Sequence, residues 1–350
     1  MKRGKPEKYI ALAETIRLFI KEKRLKKGDS LPSERILSDM FSVNHLTLRK
    51  ALRLLEQENL LYKEPSRGNF VGTKPLLPGK NGIVGFIFPD DEVFYYKIFA
   101  ELERFLSEAG LHPVVHITNN IKEKEEKILD FMIASCAEAL IAAPNSQCAG
   151  KYRDLKIPVI FYDLFIPGLN IPHIISDDYD GAEKITEHLV SLGHSRIAHV
   201  SGTYEHTSEL RLKGYLDVLK KHGIEVPGKY IKCKAPSREW GYYAAKELTA
   251  MKSPPTAILC GNDTIAAGVF RLLSSKGISV PDDCSLCGFG NTTVAEDLDL
   301  TSVSQHTPKI ADAIRNNLQI LLRGETPSAE TVINTTLIVR RSTARPPKQA

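Results

Sequence analysis

The sequence predicts a winged helix-turn-helix joined to a two-lobed α/β body, and three observations carry that prediction. Positive charge is concentrated at one end: residues 1–80 hold 18 Lys and Arg against 9 Asp and Glu, whereas the other 270 hold 29 against 33. Two short amphipathic helical patterns and a hairpin pattern fall within that basic end, between residues 33 and 71. From Ile83 onward, continuous apolar runs alternate with helical stretches. The 350 residues also exceed one ordinary core, since domains usually hold ~100–200 residues. The division expected is a head over 1–72, a linker over 73–81, a body over 82–343 and a disordered tail over 344–350.

In the head, Tyr9, Ala13, Ile16 and Ile20 recur at three- and four-residue steps and predict a first helix over 7–22. Lys and Arg gather at its carboxyl end, where the helix dipole favours them, and Gly28-Asp29 reads as the stop. Ser33 can cap a second helix whose apolar face is Ile36, Leu37 and Met40. After a turn at Phe41-Ser42-Val43, Asn44 can cap a third helix running to residue 57. Leu48, Ala51, Leu52 and Leu55 share one side of it, and Leu46, Arg49, Lys50 and Arg53 the other. Residues 60–63 and 69–71 read as strands joined by Glu64-Pro65-Ser66-Arg67-Gly68, a turn that makes the wing.

Residues 28–71 resemble the winged-helix DNA-binding domain of the GntR family. The resemblance rests on Leu31-Pro32-Ser33-Glu34-Arg35, Thr47-Leu48-Arg49-Lys50-Ala51-Leu52, Leu60-Leu61 and Arg67-Gly68-Asn69-Phe70-Val71. It implies double-stranded operator DNA as a partner. The contacts it implies fall on Arg35 of the second helix, on Asn44, His45, Leu46, Thr47 and Arg49 at the start of the third, and on the wing tip Ser66, Arg67 and Gly68. Guanidinium forks suit phosphate or guanine, and a glycine lets backbone approach closely. Set against DNA contact, Arg35 and Arg49 could lie on a solvated face or pair with Glu34 or Glu56. Two positions depart from the family pattern: Asn44-His45 stands for Ser-Arg, and Ser66 for a glycine, so base preference does not transfer.

The body begins after Thr73-Lys74-Pro75-Leu76-Leu77-Pro78-Gly79-Lys80-Asn81, which has no sustained period and reads as the linker. Apolar strands are expected over 83–88, 113–116, 139–142, 159–162, 173–175, 197–200, 257–260 and 285–289. Helices are expected over 96–109, 122–134, 181–192 and 208–222. This alternation predicts buried parallel sheets of the doubly wound type, with ligands beyond the carboxyl ends of the strands.

The body resembles the effector domain of LacI/GalR regulators. The motifs are Ser176-Asp177-Asp178-Tyr179-Asp180-Gly181-Ala182, Leu192-Gly193-His194, Arg211-Leu212-Lys213-Gly214-Tyr215, Asn262-Asp263, Val280-Pro281-Asp282-Asp283 and Arg340-Arg341-Ser342-Thr343. The resemblance implies a type I periplasmic-binding-protein-like fold, two lobes joined by three crossovers, with a small-molecule effector, a sugar, in the cleft. A GntR head on such a body is the arrangement of AraR-type regulators. The residues it brings to the effector are Arg211, Asn262, the aromatics Phe94 and Tyr95, and Asn291, which would compensate for Gly290 where relatives carry a carboxylate. The alternatives are an ion pair with Glu209 for Arg211, helix capping for Asn262 and Asp263, and lobe packing for the aromatics. Asp177 and Asp178 are expected to cap or connect the lobes, His188 and His194 to be structural, and Trp240 to line the cleft or pack a helix start.

Met1-Lys2-Arg3 leads into an apolar stretch interrupted by Glu14, so no secretory core forms, and the apolar runs fall short of the ~20 residues of a membrane span. A cytoplasmic protein without a membrane partner is expected. The six cysteines include one close pair, Cys284-Ser285-Leu286-Cys287, without a second pair or a nearby His, which fits reduced thiols better than zinc. Gly288-Phe289-Gly290 lacks the rest of a dinucleotide fingerprint, and no P-loop, HExxH or nucleophile elbow occurs. The expectation is a non-enzymatic, ligand-responsive repressor of carbohydrate-utilisation genes, without cofactor or metal, acting as a homodimer. The alternative is a sugar receptor of the transport or chemotaxis type.

Overall fold

A computed structural model of the chain describes residues 8–26, 28–58, 60–64, 68–72, 81–203 and 206–347. The chain divides into two compact units, residues 1–77 and 78–350. In the first, α1 (Lys8–Glu22), α2 (Glu34–Met40) and α3 (His45–Gln57) precede β1 (Leu61–Glu64) and β2 (Gly68–Val71), which pair antiparallel from Leu61 against Val71 to Glu64 against Gly68. Ile16, Leu37, Leu48, Ala51 and Leu55 are fully buried in one core. α1 ends before Gly28: Arg24 takes a left-handed conformation, and Leu25 N donates to Ile20 O at 3.0 Å. This closure satisfies a terminal carbonyl without a glycine, so the helix ends at Glu22, where its apolar period ends, and Gly28 is not what stops it. Both expected caps form, with Ser33 Oγ accepting from Ile36 N and Asn44 Oδ1 from Thr47 N at 2.8 Å.

The second unit contains two six-stranded sheets. The first lobe runs β3 (Ile83–Phe88), α4 (Val93–Glu108), β4 (His112–Ile117), α5 (Lys122–Ala134), β5 (Ala139–Ala142), α6 (Ala149–Asp154), β6 (Val159–Tyr162) and β7 (His173–Ser176). The chain then crosses into the second lobe through α7 (Asp178–Ser191), β8 (Ile197–Gly202), α8 (Thr207–Lys221), β9 (Ile231–Lys234), α9 (Arg238–Thr249) and β10 (Ala257–Cys260). That lobe continues with α10 (Asp263–Ser275), β11 (Ser285–Gly290), α11 (Thr293–Asp297) and β12 (Thr301–Ser304). A second crossing returns α12 (Thr307–Leu322) and β13 (Glu330–Ile333) to the first lobe, and a third places β14 (Thr336–Ile338) on the second.

Strand orders are β13-β7-β6-β5-β3-β4 and β14-β12-β11-β10-β8-β9, parallel throughout except β14 against β12. Central strands such as Ala139–Ala142 and Val159–Tyr162 are buried at every position, as helices on both faces require. α4 begins at Val93, three residues earlier than its apolar period suggested. This start brings Phe94 and Tyr95 into the first turn of a helix directly after β3.

Candidate functional site

In the head, the amino-terminal turn of α3 is exposed. Leu46 is 68% exposed although it is apolar, and His45 and Arg49 are exposed beside it, with Thr47 half-buried. Leu48, Ala51, Leu52 and Leu55 anchor the opposite side in the core. Arg35 is exposed on α2. Arg49 realises the ion-pair alternative and still remains accessible: its Nε donates to Glu34 Oε2 at 3.0 Å while its side chain stays 63% exposed. Lys63 Nζ reaches the other oxygen of Glu34 at 2.6 Å. The bonds from Lys63 and Arg49 hold this carboxyl below its ordinary value of 4.5. Gly68 opens β2 at φ 105°, a conformation that favours glycine. Ser66 and Arg67 lie outside the described residues.

In the body, the carboxyl ends of strands from both lobes face one narrow cavity. From the first lobe come Glu92, Phe94 and Tyr95 after β3 and Asp163 after β6, and Gln305 enters from the crossover after β12. The second lobe contributes Thr207, Ser208 and Arg211 of α8, Gly261 and Asn262 after β10, and Phe289 of β11. Four of the five residues expected at an effector, Phe94, Tyr95, Arg211 and Asn262, therefore meet here. Asn291 does not: its Oδ1 accepts from Arg340 Nη2 at 2.7 Å, and its carbonyl accepts from Lys97 Nζ at 3.3 Å. At φ 48°, its backbone turns the chain away after Gly290.

Arg211 does not pair with Glu209. Its Nε donates to Asp178 Oδ1 at 2.8 Å, its Nη2 lies 2.7 Å from the same oxygen, and its Nη1 donates to Gly261 O at 2.5 Å. The guanidinium carbon stands 3.8 Å from the Phe289 ring centroid, close enough for a cation–π contact. Asp178, expected to cap or connect, is thus the buried counterion of Arg211, while Asp177 caps α7 by accepting from Asp180 N. Burial pushes the Asp178 carboxyl up to about 6 despite Arg211. Burial alone would lower the Arg211 pKa, but Asp178 and Asp163 outweigh it and the net shift is upward.

Asn262 takes up its expected capping task and also bridges the two lobes. Its Oδ1 accepts from Ile265 N at 2.7 Å, which caps α10, and its Nδ2 donates across the cleft to Glu92 Oε2 at 3.0 Å. Asp263 caps nothing. It is buried, accepts from Thr292 N, Thr292 Oγ1 and Ser302 Oγ at 2.7–2.9 Å, and so ties the end of β11 to β12. Trp240 packs at the start of α9 and donates Nε1–H to Ser201 O at 3.0 Å. His188 and His194 bond to Thr343 and to Thr256 and Ser285, as structural residues do.

Asp163, Glu92 and Gln305 carry no motif that singled them out. Asp163 is buried at φ 62° and accepts from Tyr95 Oη at 2.7 Å. Burial raises its pKa, and burial together with Asp90 and Asp263 raises that of Glu92 well above the ordinary range. Their shared signal is positional: in a parallel sheet, a polar residue just beyond the carboxyl end of a buried strand faces the crevice.

Residues 8–71 match the family model of bacterial regulatory proteins, gntR family, and residues 186–343 match that of the periplasmic binding protein-like domain. The arabinose metabolism transcriptional repressor of Geobacillus stearothermophilus is 28% identical over 98% of this chain and 99% of its own. The probable HTH-type transcriptional repressor ExuR of Bacillus subtilis (strain 168) is 30% identical over 89% of this chain and 93% of its own. The periplasmic binding protein/LacI transcriptional regulator of Alkaliphilus metalliredigens QYMF, solved with D-xylulofuranose, superposes with a TM-score of 0.67 at 25% identity, covering 75% of this chain and 99% of that one. Among the described residues, no helix is long and apolar enough to cross a membrane. With a winged helix-turn-helix at one end, a two-lobed cleft at the other and repressors matching along nearly its whole length, the chain belongs to the gntR family of bacterial regulatory proteins and is a DNA-binding transcriptional regulator, not an enzyme.

Proposed function

We propose that this regulator represses carbohydrate-utilisation genes and is released from its operator by a sugar bound between the lobes. Residues 1–72 act as the DNA reader, 73–81 as linker and 82–343 as sensor, in a homodimer that presents two heads to two half-sites. Arg35, Asn44, His45, Leu46, Thr47, Arg49 and the wing tip, residues 66–68, meet the operator. The observation that carries the reading is the cleft itself. It offers hydroxyl-binding groups from both lobes, Arg211 and Asn262 on one side and Glu92 and Asp163 on the other, beside the aromatics Phe94 and Tyr95. Such a set can hold a polyol only when the lobes are together, so ligand binding favours closure. In a dimer, that closure alters the spacing of the heads. The names of the relatives support a carbohydrate: one repressor serves arabinose metabolism, and the solved regulator holds D-xylulofuranose.

The test is fluorescence anisotropy of the full chain on operator-bearing genomic fragments, titrated with pentoses and hexoses. At least one sugar should weaken operator binding by about 5–150-fold, the usual range of allosteric coupling, and leave binding to unrelated DNA unchanged. If no sugar changes the affinity for any fragment, the carbohydrate reading fails.

A further inference from the structure

We propose that the cleft selects uncharged sugars and rejects their uronate and phosphate derivatives, with Glu92 as the residue that sets this preference. The inference rests on the carbohydrate reading above and narrows it.

Arg211 is the one Lys or Arg among the described residues that line the cavity. It is already committed: two of its nitrogens face Asp178 and a third bonds to the Gly261 carbonyl. A guanidinium has five N–H donors, so this arrangement leaves two for the cleft, enough to orient a pair of hydroxyls. Its charge, however, is balanced by a carboxylate that is only 2% exposed. A second anion beside it would have to compete with Asp178 for the same cation.

The opposite wall is acidic. Glu92 faces the cavity from the first lobe, bonded through Oε2 to Asn262, and Asp163 lies on the same side, bonded to Tyr95. Each can accept from ligand hydroxyls, and neither can accept from a carboxylate or phosphate oxygen that carries no proton. Seating such an anion would desolvate it next to the carboxyl groups of Glu92 and Asp163. That is unfavourable, because juxtaposed like charges in a dry site lose more than a hydrogen bond gains. A neutral polyol meets none of these costs and satisfies donors and acceptors on both walls.

The experiment is thermal shift and calorimetry on the full chain with matched pairs: D-galactose and D-galacturonate, D-glucose and D-glucuronate, and neutral pentoses and hexoses against their terminal phosphates. A ligand that binds only the native state raises Tm. At least one neutral sugar should do so, and its anionic counterpart should bind on the order of a hundredfold more weakly. In Glu92→Gln, the neutral-to-uronate preference should narrow by about tenfold or more. An anionic member that binds as tightly as its neutral parent overturns the proposal and leaves the carbohydrate reading standing. A preference that does not narrow in Glu92→Gln overturns the assignment to Glu92. If no member of either class shifts Tm, both readings fall.

Discussion

At the start of α3, Leu46 is 68% exposed and the Arg49 side chain 63%; in the cleft, the Arg211 side chain keeps 12% of its surface and Asp178 keeps 2%. Both regions pair a guanidinium with a carboxylate, yet only in the cleft is that pair buried; in the head Arg49 shares Glu34 with Lys63 and stays largely in water. The difference follows from the partner. DNA brings its own negative charge, so a head can leave positive charge in water and gain binding from released counterions. A neutral ligand brings none, so a buried cleft must neutralise Arg211 before the ligand arrives. Substitutions in the head should therefore change DNA affinity with little change in stability, whereas substitutions in the cleft should change both.

The largest test of that contrast is Asp178→Ala. Removing one member of a buried pair strands the other, and the expected loss is about 3–5 kcal/mol in a urea unfolding curve. Ligand-induced Tm shifts should vanish with it. A loss below about 1 kcal/mol would mean that Arg211 rehydrates in the cleft, and the contrast between the regions would weaken.

How far this contrast could be read from residues alone follows the same division. Buried parallel strands announce themselves as unbroken apolar runs, and 83–88, 139–142 and 159–162 match β3, β5 and β6 residue for residue. β9, with Lys at two of its four positions, and β13, exposed at alternate residues, are edge strands whose partners lie on one side only, so no apolar run marks them. Caps at Ser33 and Asn44 were legible because their signal is local. The pairing of Arg211 with Asp178 was not, because 33 residues of chain separate them and only the packing of α7 on α8 joins them. Asn291 follows Gly290 in sequence, but a left-handed turn and Arg340 hold its side chain away from the cavity lining.

A second test uses pH. Glu125 is fully buried in the first lobe, accepting from Asn145 N and from Tyr152 Oη at 2.9 Å, and burial pushes its carboxyl from 4.5 up to about 7. A raised pKa means that the folded state favours the protonated form. Its contribution is fully present below 4.5 and is lost as pH rises through about 7. Glu34 in the head has the opposite sign: its lowered pKa gives stability present above 4.5 and lost as pH falls through the lowered value. Thermal melts between pH 4.5 and 7 should therefore show a downward component that disappears in Glu125→Gln. An unchanged slope in that variant would assign the dependence to other carboxyls.

The smallest expected change in stability is at Glu34, and it separates two roles for its ion pairs. Arg49 engages Glu34 through Nε, and its side chain remains mostly exposed, so the carboxylate can orient the guanidinium without withdrawing it from DNA. Arg49 and Lys63 are more than half exposed, which keeps each pair at about 0–1 kcal/mol although Glu34 itself is 19% exposed, so Glu34→Ala should move Tm only slightly. Binding should respond in two directions. Affinity for unrelated DNA should rise, because a negative charge is removed beside Arg49 and Lys63 and the head becomes more positive. Affinity for the operator should rise less or fall, because Arg49 loses the contact that fixes its direction, and fixed direction is what base or phosphate register requires. The measured quantity is the ratio of operator to unrelated-DNA affinity at one salt concentration. A smaller ratio in Glu34→Ala marks Glu34 as a positioning residue for Arg49; a ratio equal to that of the unaltered chain would mean that the carboxylate only dilutes the charge of the head.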